Sequence, residues 1–252
     1  MIPSSLHFPL ALVSFAMACT HLLAADPDPL AVLASAAGPQ EKSHACLKLA
    51  ATGDAKAVPA LAALLGDPAL ADYARTALEE IPDPAAAKAL RDATATLNAR
   101  FLAGVVNSLG VKRDTEAVEL LVKLANDPSK GVGPQALMAL AHIASPQALD
   151  CIRKDLDNAS ADTRVAAAHA ALAAANRMEN DGKQAPARDL RAAVAKAQVP
   201  AWMQQLAAMP ELSRKEIFNG KNLDGWNGDP SLFRVEMGTL LAGHLDRPIP
   251  RN

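Results

Sequence analysis

The sequence predicts a mainly α-helical protein, an α-α superhelix of about four helical hairpins with helical caps, followed by a short all-β region. Three observations predict it. The apolar anchors Leu61, Leu90, Leu121 and Ile152 are separated by 29, 31 and 31 residues, within the window of roughly 20–50 residues that marks a stacked array. Half of the side chains are apolar but only 3% are aromatic, which describes a core of closely approaching Ala- and Leu-rich helices. Of the eight aromatic residues, four (Trp202, Phe218, Trp226, Phe233) lie beyond position 200, as do five of the thirteen glycines. These shifts divide the chain into a signal segment (1–25), an amino-terminal helical cap (26–53), a repeat array (54–176), a linker with short helices (177–210) and a β region (211–252).

The beginning reads as an export signal. Residues 8–18 form an apolar run too short to span a bilayer. Ala24-Ala25 and the abruptly polar Asp26-Pro27-Asp28-Pro29 follow it, the pattern of a secreted, periplasmic or cell-envelope protein. No Lys or Arg precedes the run. Cleavage near Ala25, lipidation at Cys19 within Ala16-Met17-Ala18-Cys19, and an uncleaved segment are all open, and membrane attachment follows only from lipidation at Cys19.

A first helical stretch over residues 30–51 carries Leu30, Leu33, Cys46, Leu47 and Leu49, is divided at Gly38-Pro39, and suits a cap. The array begins at Asp54. Val58, Leu61, Leu64 and Leu65 fall on one helix face, Gly66-Asp67-Pro68 breaks the helix, and Tyr73, Ala74, Ala77, Leu78 and Ile81 form the second stripe. These are helical spacings with one buried stripe per helix. Asp83-Pro84 and Ser145-Pro146 restart helices, a side-chain oxygen capping free amides and a proline occupying the first turn, where its missing donor costs nothing. Later second helices carry Phe101, Leu102, Val105, Val106 and Leu109, then Leu137, Leu140 and Ile143, then Val165, Ala168 and Leu172. One hairpin alone would expose half its stripe, so stability is expected from contacts between successive units.

Residues 72–81 (DYARTALEEI), 107–114 (NSLGVKRD) and 162–172 (DTRVAAAHAAL) resemble HEAT repeats, in which an aspartate near the hairpin turn and an arginine early in the second helix recur. Asp72 with Arg75, and Asp162 with Arg164, stand in those places, whereas Gly131 and Gly133 interrupt the ladder in the third hairpin. The resemblance implies the fold over about half the chain and says little of function. After Asn176 the periodicity stops. The polar stretch 177–186, with Asp181-Gly182 at its centre, reads as a linker, and a short helix over 187–199 is ended by Pro200.

The β region reads first as a chain of turns around Gly220, Gly225 and Gly228. Then comes a hairpin, Phe233-Arg234-Val235-Glu236 and Thr239-Leu240-Leu241-Ala242, about a two-residue turn Met237-Gly238. Residues 217–243 resemble the opening of the 3-keto-disaccharide hydrolase domain family, whose members begin with a phrase like LFNGKDLTGW and continue to WxVEDGxLxG. The resemblance implies a concanavalin-like β-sandwich, exported, acting on oxidised disaccharides or related glycosides and often joined to HEAT repeats. Met237 stands where the family usually places Asp or Asn, which tolerate the turn better. The chain stops only a hairpin or so into such a fold, so the expectation is an incomplete, truncated sandwich belonging to a longer product.

Charge and motifs exclude several classes. Basic and acidic side chains nearly balance, 25 against 27, and no basic helix face is present, which argues against nucleic acid as a partner. Cys46 and Cys151 have no paired spacing and read as buried small hydrophobes. His44, His142, His169 and His244 never approach HxxxH or HExxH spacing; His142 and His169 read as structural positions beside buried residues, and no metal is expected. Glu236, Asp224 and Asp229 are the carboxylates available to glycoside chemistry, but turn and surface roles suit them better, and Trp226 suits a core or seam anchor better than a sugar platform. Glu79-Glu80 and Arg113-Asp114 read as solvated helix ends. No catalytic residue and no cofactor is assigned. The functional expectation is an exported HEAT-repeat scaffold with a protein partner on its helical surface, fused to the start of a carbohydrate-hydrolysing or carbohydrate-binding domain and not catalytic by itself. The alternative is a non-enzymatic protein-interaction scaffold of the cell envelope.

Overall fold

The computed structural model describes residues 27–209, 221–224, 233–236 and 239–242. The chain divides into two compact units, Met1–Ser145 and Pro146–Asn252. The first contains α1 (Pro29–Ala34), α2 (Pro39–Thr52), α3 (Val58–Ala62), α4 (Ala71–Glu80), α5 (Pro84–Ala93), α6 (Ala99–Val111), α7 (Val118–Ala125) and α8 (Gly133–Ile143). These pair as hairpins, α1 with α2 and so on to α7 with α8. The even-numbered helices pack side by side in the order α2, α4, α6, α8, and α1, α3 and α5 pack in a second row. The stretch read as a cap is thus a hairpin stacked like those that follow.

Aspartates start the turns. The side chains of Asp54, Asp83, Asp114 and Asp127 each accept a hydrogen bond from the backbone amide two residues on, satisfying donors that a new helical turn leaves free. Two of these turns, Ala55–Ala57 and Thr115–Ala117, are 3₁₀ turns leading into α3 and α7. The anchors Leu61, Leu90 and Leu121 are fully buried, as are Leu102, Val105, Val106 and Leu109 on α6 and Leu137 and Leu140 on α8. Each such side chain contributes about 1.5–3 kcal/mol of burial. Of the apolar positions read from the sequence, Leu64, Phe101, Ile143 and Val165 are only partly buried, and two are exposed. Tyr73 is 40% exposed and Leu47 is 47% exposed, because the faces of α4 and α2 that carry them turn away from the hairpin interior.

The second unit contains α9 (Pro146–Asn158), α10 (Ala161–Asn180), α11 (Gln184–Lys196) and α12 (Ala201–Ala208). Helix α10 packs against both α9 and α11, and α12 packs against α11. Ser160 caps α10 by accepting from the Thr163 amide. The stretch read as a linker, 177–186, is mostly helical: α10 continues through Asn180, a turn with Gly182 at φ 77° follows, and α11 begins at Gln184. Its polar residues are helix-end groups, since Arg191 reaches back to Glu179 at 2.6 Å and to Asn176 at 2.5 Å. Pro200 begins α12 as well as following α11.

In the tail, β1 (Phe233–Glu236) and β2 (Thr239–Ala242) pair antiparallel, with Phe233 opposite Ala242 and Glu236 opposite Thr239. The register leaves two residues for the connection, as the hairpin pattern predicts. The conformation of Met237 lies outside the described residues. No β-sandwich is present among the described residues; the two strands of this hairpin are the β structure seen there. No helix among them is long and apolar enough to cross a membrane.

Candidate functional site

The densest polar constellation in the first unit lies along the seam between α4 and α6. Arg75, on α4, donates to Asp72 at 3.1 Å, to Glu79 at 3.0 Å and to the Ser108 hydroxyl of α6 at 3.1 Å. Ser108 is fully buried and its hydroxyl lies 2.5 Å from the same Glu79 oxygen, to which it donates. From the end of α6, the Lys112 ammonium donates to the carbonyls of Glu79 at 3.1 Å and Ile81 at 2.7 Å. It therefore caps α4 from the next repeat, placing a cation where the helix dipole favours one. Burial lowers the Lys112 pKa, an effect opposed by the carboxylates of Asp114, Glu79 and Glu80.

Gly104 makes room for this arrangement. A Cβ there would lie 2.9 Å from Arg75 Nε, so the guanidinium lies against bare backbone of α6. Farther along, a Cβ at Gly110 would lie 2.8 Å from the Ala139 Cα of α8. Glycine is thus what permits the backbones of α6 and α8 to approach. Near the first turn of α6 a recess of about 150 Å³ opens, lined by Leu65, Ala71, Asp72, Arg75, Arg100, Phe101 and Gly104. Arg100 donates to the Pro68 carbonyl at 3.0 Å, and its guanidinium carbon lies 4.6 Å from the Phe101 ring centre.

A second link joins α5 to the start of the following repeat. Arg91 pairs with Asp114 and with Glu116, the latter at 2.7 Å, and the Asp114 side chain is only 7% exposed. The reading of Arg113-Asp114 and Glu79-Glu80 as solvated ends is corrected at Asp114, clamped by Arg91 of α5, and at Glu79, held by Arg75 of its own helix and by Ser108 of α6. Glu79 and Ser108 stand 29 residues apart, one repeat period, so equivalent positions of successive hairpins meet. That period was the available signal, but which face of each helix met the next was not visible in it.

The Asp and Arg pairs behave differently in the two units. Asp72 and Arg75 form an ion pair at 3.1 Å. In the second unit, Arg164 instead donates to the Ala159 carbonyl at 2.8 Å and to both the carbonyl and side-chain oxygens of Gln198 at 3.3 Å. In the interrupted third hairpin, Gly131 adopts φ 65°, and a Cβ at Gly133 would lie 3.2 Å from the Ala125 carbonyl oxygen. That crowding accounts for a glycine there instead of the ladder pair.

The remaining candidates are dispersed. His44, His142 and His169 are exposed, His142 next to buried Ala141 and His169 between buried Ala168 and Ala170; His169 lies with its ring 5.8 Å from that of Trp202. Cys46 and Cys151 are free thiols, Cys46 buried and Cys151 only partly so. Burial pushes the Cys46 thiol up to about 11, which leaves it a protonated, unreactive group. Asp155 on α9 is buried, with one carboxylate oxygen lacking a partner, and burial raises its pKa above the usual carboxylate value. Among the described residues no group of three His, Cys, Asp or Glu side chains is placed to hold a metal ion. Asp224 makes the local turn bonds expected of it, its amide donating to Asn222 at 3.3 Å and its carboxylate accepting from Asn222 at 2.7 Å. Glu236 lies on β1, while Trp226, Asp229, His244 and Cys19 lie outside the described residues.

Stacked two-row hairpins with internally satisfied polar seams define an α-α repeat protein. Residues 97–173, from the turn before α6 into α10, match a family model described as HEAT repeats, so this segment is similar to HEAT repeats. No curated protein matches the sequence.

Proposed function

We propose that this chain is an exported HEAT-repeat scaffold that holds a protein partner on its helical surface, and that its tail is the opening of a 3-keto-disaccharide hydrolase-like domain. The observation that carries the scaffold reading is the row α2, α4, α6 and α8: a laterally continuous helical surface in which Arg75 and Lys112 clamp α4 to α6. The HEAT-repeat match supports it, because such arrays offer extended binding surfaces. The hairpin closing between Glu236 and Thr239 supports the tail reading. The apolar run at residues 8–18 followed by Ala24-Ala25 supports export.

Cross-linking in cells with mass-spectrometric mapping tests the scaffold reading. Recurrent cross-links from lysines of the first unit to one protein are expected; a folded, abundant chain with no such partner would sink it. The carbohydrate reading is tested separately by turnover of a 3-keto-disaccharide by the parent polypeptide. Lack of turnover there leaves the scaffold reading standing as a non-enzymatic one. Fractionation of the expressing cell tests export, the chain being expected outside the cytoplasm and shortened near Ala25, or lipid-modified at Cys19.

A further inference from the structure

The two rows of the first unit differ in the apolar surface they expose. Among the described residues, its exposed large hydrophobics are Leu47 on α2, Tyr73 on α4 and Val111 on α6, all on the even-numbered row. The odd-numbered helices expose charges, such as Lys88 and Asp92 on α5, paired at 2.6 Å, and Glu119 and Lys123 on α7, as the even row does at Lys48, Asp72, Glu80 and Arg100, but carry none of the exposed large hydrophobics among the described residues of this unit. A solvated ion pair needs no partner, whereas three large apolar groups on consecutive helices of one layer leave apolar surface in water. Between α4 and α6, lined in part by Asp72, which precedes Tyr73 in the chain, lies the recess of about 150 Å³. It is well below the roughly 300–1,000 Å³ of a small-molecule pocket, and of a size to take one amino-acid side chain.

The lining determines which side chain. Leu65, Ala71, Phe101 and the bare backbone of Gly104 form apolar walls. Of the two cations, Arg75 is already neutralised by Asp72 and Glu79. Arg100 donates to a single carbonyl, and among the described residues no carboxylate pairs with it. We propose that the recess receives a glutamate from an otherwise apolar segment of a partner protein, its methylene stem against Phe101 and Leu65 and its carboxylate on Arg100. Tyr73 covers the apolar residue beside that glutamate. A lysine is rejected because Asp72, the carboxylate of the lining, is already paired with Arg75 while Arg100 would repel it, and a purely apolar side chain because it would cover Arg100 with the Pro68 carbonyl as its one acceptor. This rests on the scaffold reading and names the partner's chemistry.

The test is selection of a random-peptide phage library on the full chain, followed by binding of the recovered peptides to variants. Recovered peptides are expected to carry glutamate flanked by leucine, isoleucine or methionine, and to bind Arg100→Gln about tenfold more weakly, the scale of one charge-assisted hydrogen bond. Tyr73→Ala should weaken them as well, while Lys88→Gln on the odd row leaves them unchanged. All three sites are exposed or at a helix surface, and circular dichroism melts verify that the variants fold. Replacing the glutamate by glutamine in a recovered peptide should reproduce the loss seen with Arg100→Gln. Peptides without an acidic residue, or peptides whose binding is indifferent to Arg100→Gln, overturn the proposal. If those peptides are lost on Lys88→Gln, the scaffold reading survives with a different face; cellular cross-linking decides the case in which no peptide is recovered, which also overturns the glutamate site.

Discussion

Helices α6 and α10 are both closely surrounded, yet they solve the problem of close approach in opposite ways. Helix α6 meets its neighbours through Gly104 and Gly110, and the space so gained lets Arg75 lie against its backbone and lets α8 approach at Ala139. Helix α10 uses methyl groups: Ala167, Ala168, Ala170, Ala171, Ala174 and Ala175 are all buried against the helices packed around it. Glycine in a helix costs about 0.5–1 kcal/mol relative to alanine, so it is kept in α6 where a backbone or a guanidinium occupies the position of its Cβ. Alanine carries no such cost and suits a helix buried around much of its circumference. The difference teaches that a small-residue helix is not one device: in α6 the small residues admit polar clamps, and in α10 they admit only packing.

The largest effect expected along the α6–α8 seam is that of Leu140→Ala. Leu140 is fully buried on α8, and its truncation should cost about 2–5 kcal/mol in chemical denaturation; a change within a few tenths would remove α8 from the core. Gly110→Ala should be a net loss of up to about 2 kcal/mol, since overpacking against backbone outweighs the gain of about 1 kcal/mol in helix propensity. The mirror change, Ala171→Gly in α10, should also destabilise, by about 1–2 kcal/mol, through lost propensity and a lost methyl. If Gly110→Ala proved stabilising, the contrast between the two helices would collapse.

Asp155 sharpens the comparison from the polar side, because the second unit buries a carboxylate oxygen with no partner where the first unit buries clamped ones. Its folded pKa lies above the unfolded 3.8, so the folded state binds the proton more tightly. Its contribution is fully present below pH 3.8 and is lost as pH rises through the folded pKa. Asp155→Asn should therefore stabilise the chain at neutral pH, and the gain should vanish as pH falls toward 3.8. Thermal melts across that range check it, and a gain independent of pH would assign the effect to packing alone. The smallest effect is Ala144→Gly: Ala144 ends α8 at φ 52°, in the left-handed region, and glycine there should add about 0.4–1 kcal/mol.

Much of the fold was legible because it is written in short range. The hairpin limits from Asp54 to α10 follow from apolar spacing, Asp-Pro starts and glycine breaks, all of which act within one helical turn. The two-residue turn between Glu236 and Thr239 was legible for the same reason. Tyr73 and Leu47 were misread because helical spacing places a residue on a stripe without saying whether that edge of the stripe meets a neighbour. The polar stretch 177–186 was misread because Arg191, Glu179 and Asn176 satisfy one another across the α10–α11 turn, a pairing between residues that local composition reads as solvent-exposed.

By itself, then, the sequence determined the period, the helix-capping residues and the apolar anchors, because backbone hydrogen bonding and burial along one helix depend on near neighbours in the chain. Only the tertiary structure decided that Glu79 shares a proton donor with Ser108 one repeat away, that Lys112 at the end of α6 caps α4, the equivalent helix of the preceding hairpin, and that Arg100 lines a recess between α4 and α6. Those relations depend on the rotation and offset of one hairpin on the next, which side-chain volume at Gly104, Gly110 and Ala139 sets and no local pattern records.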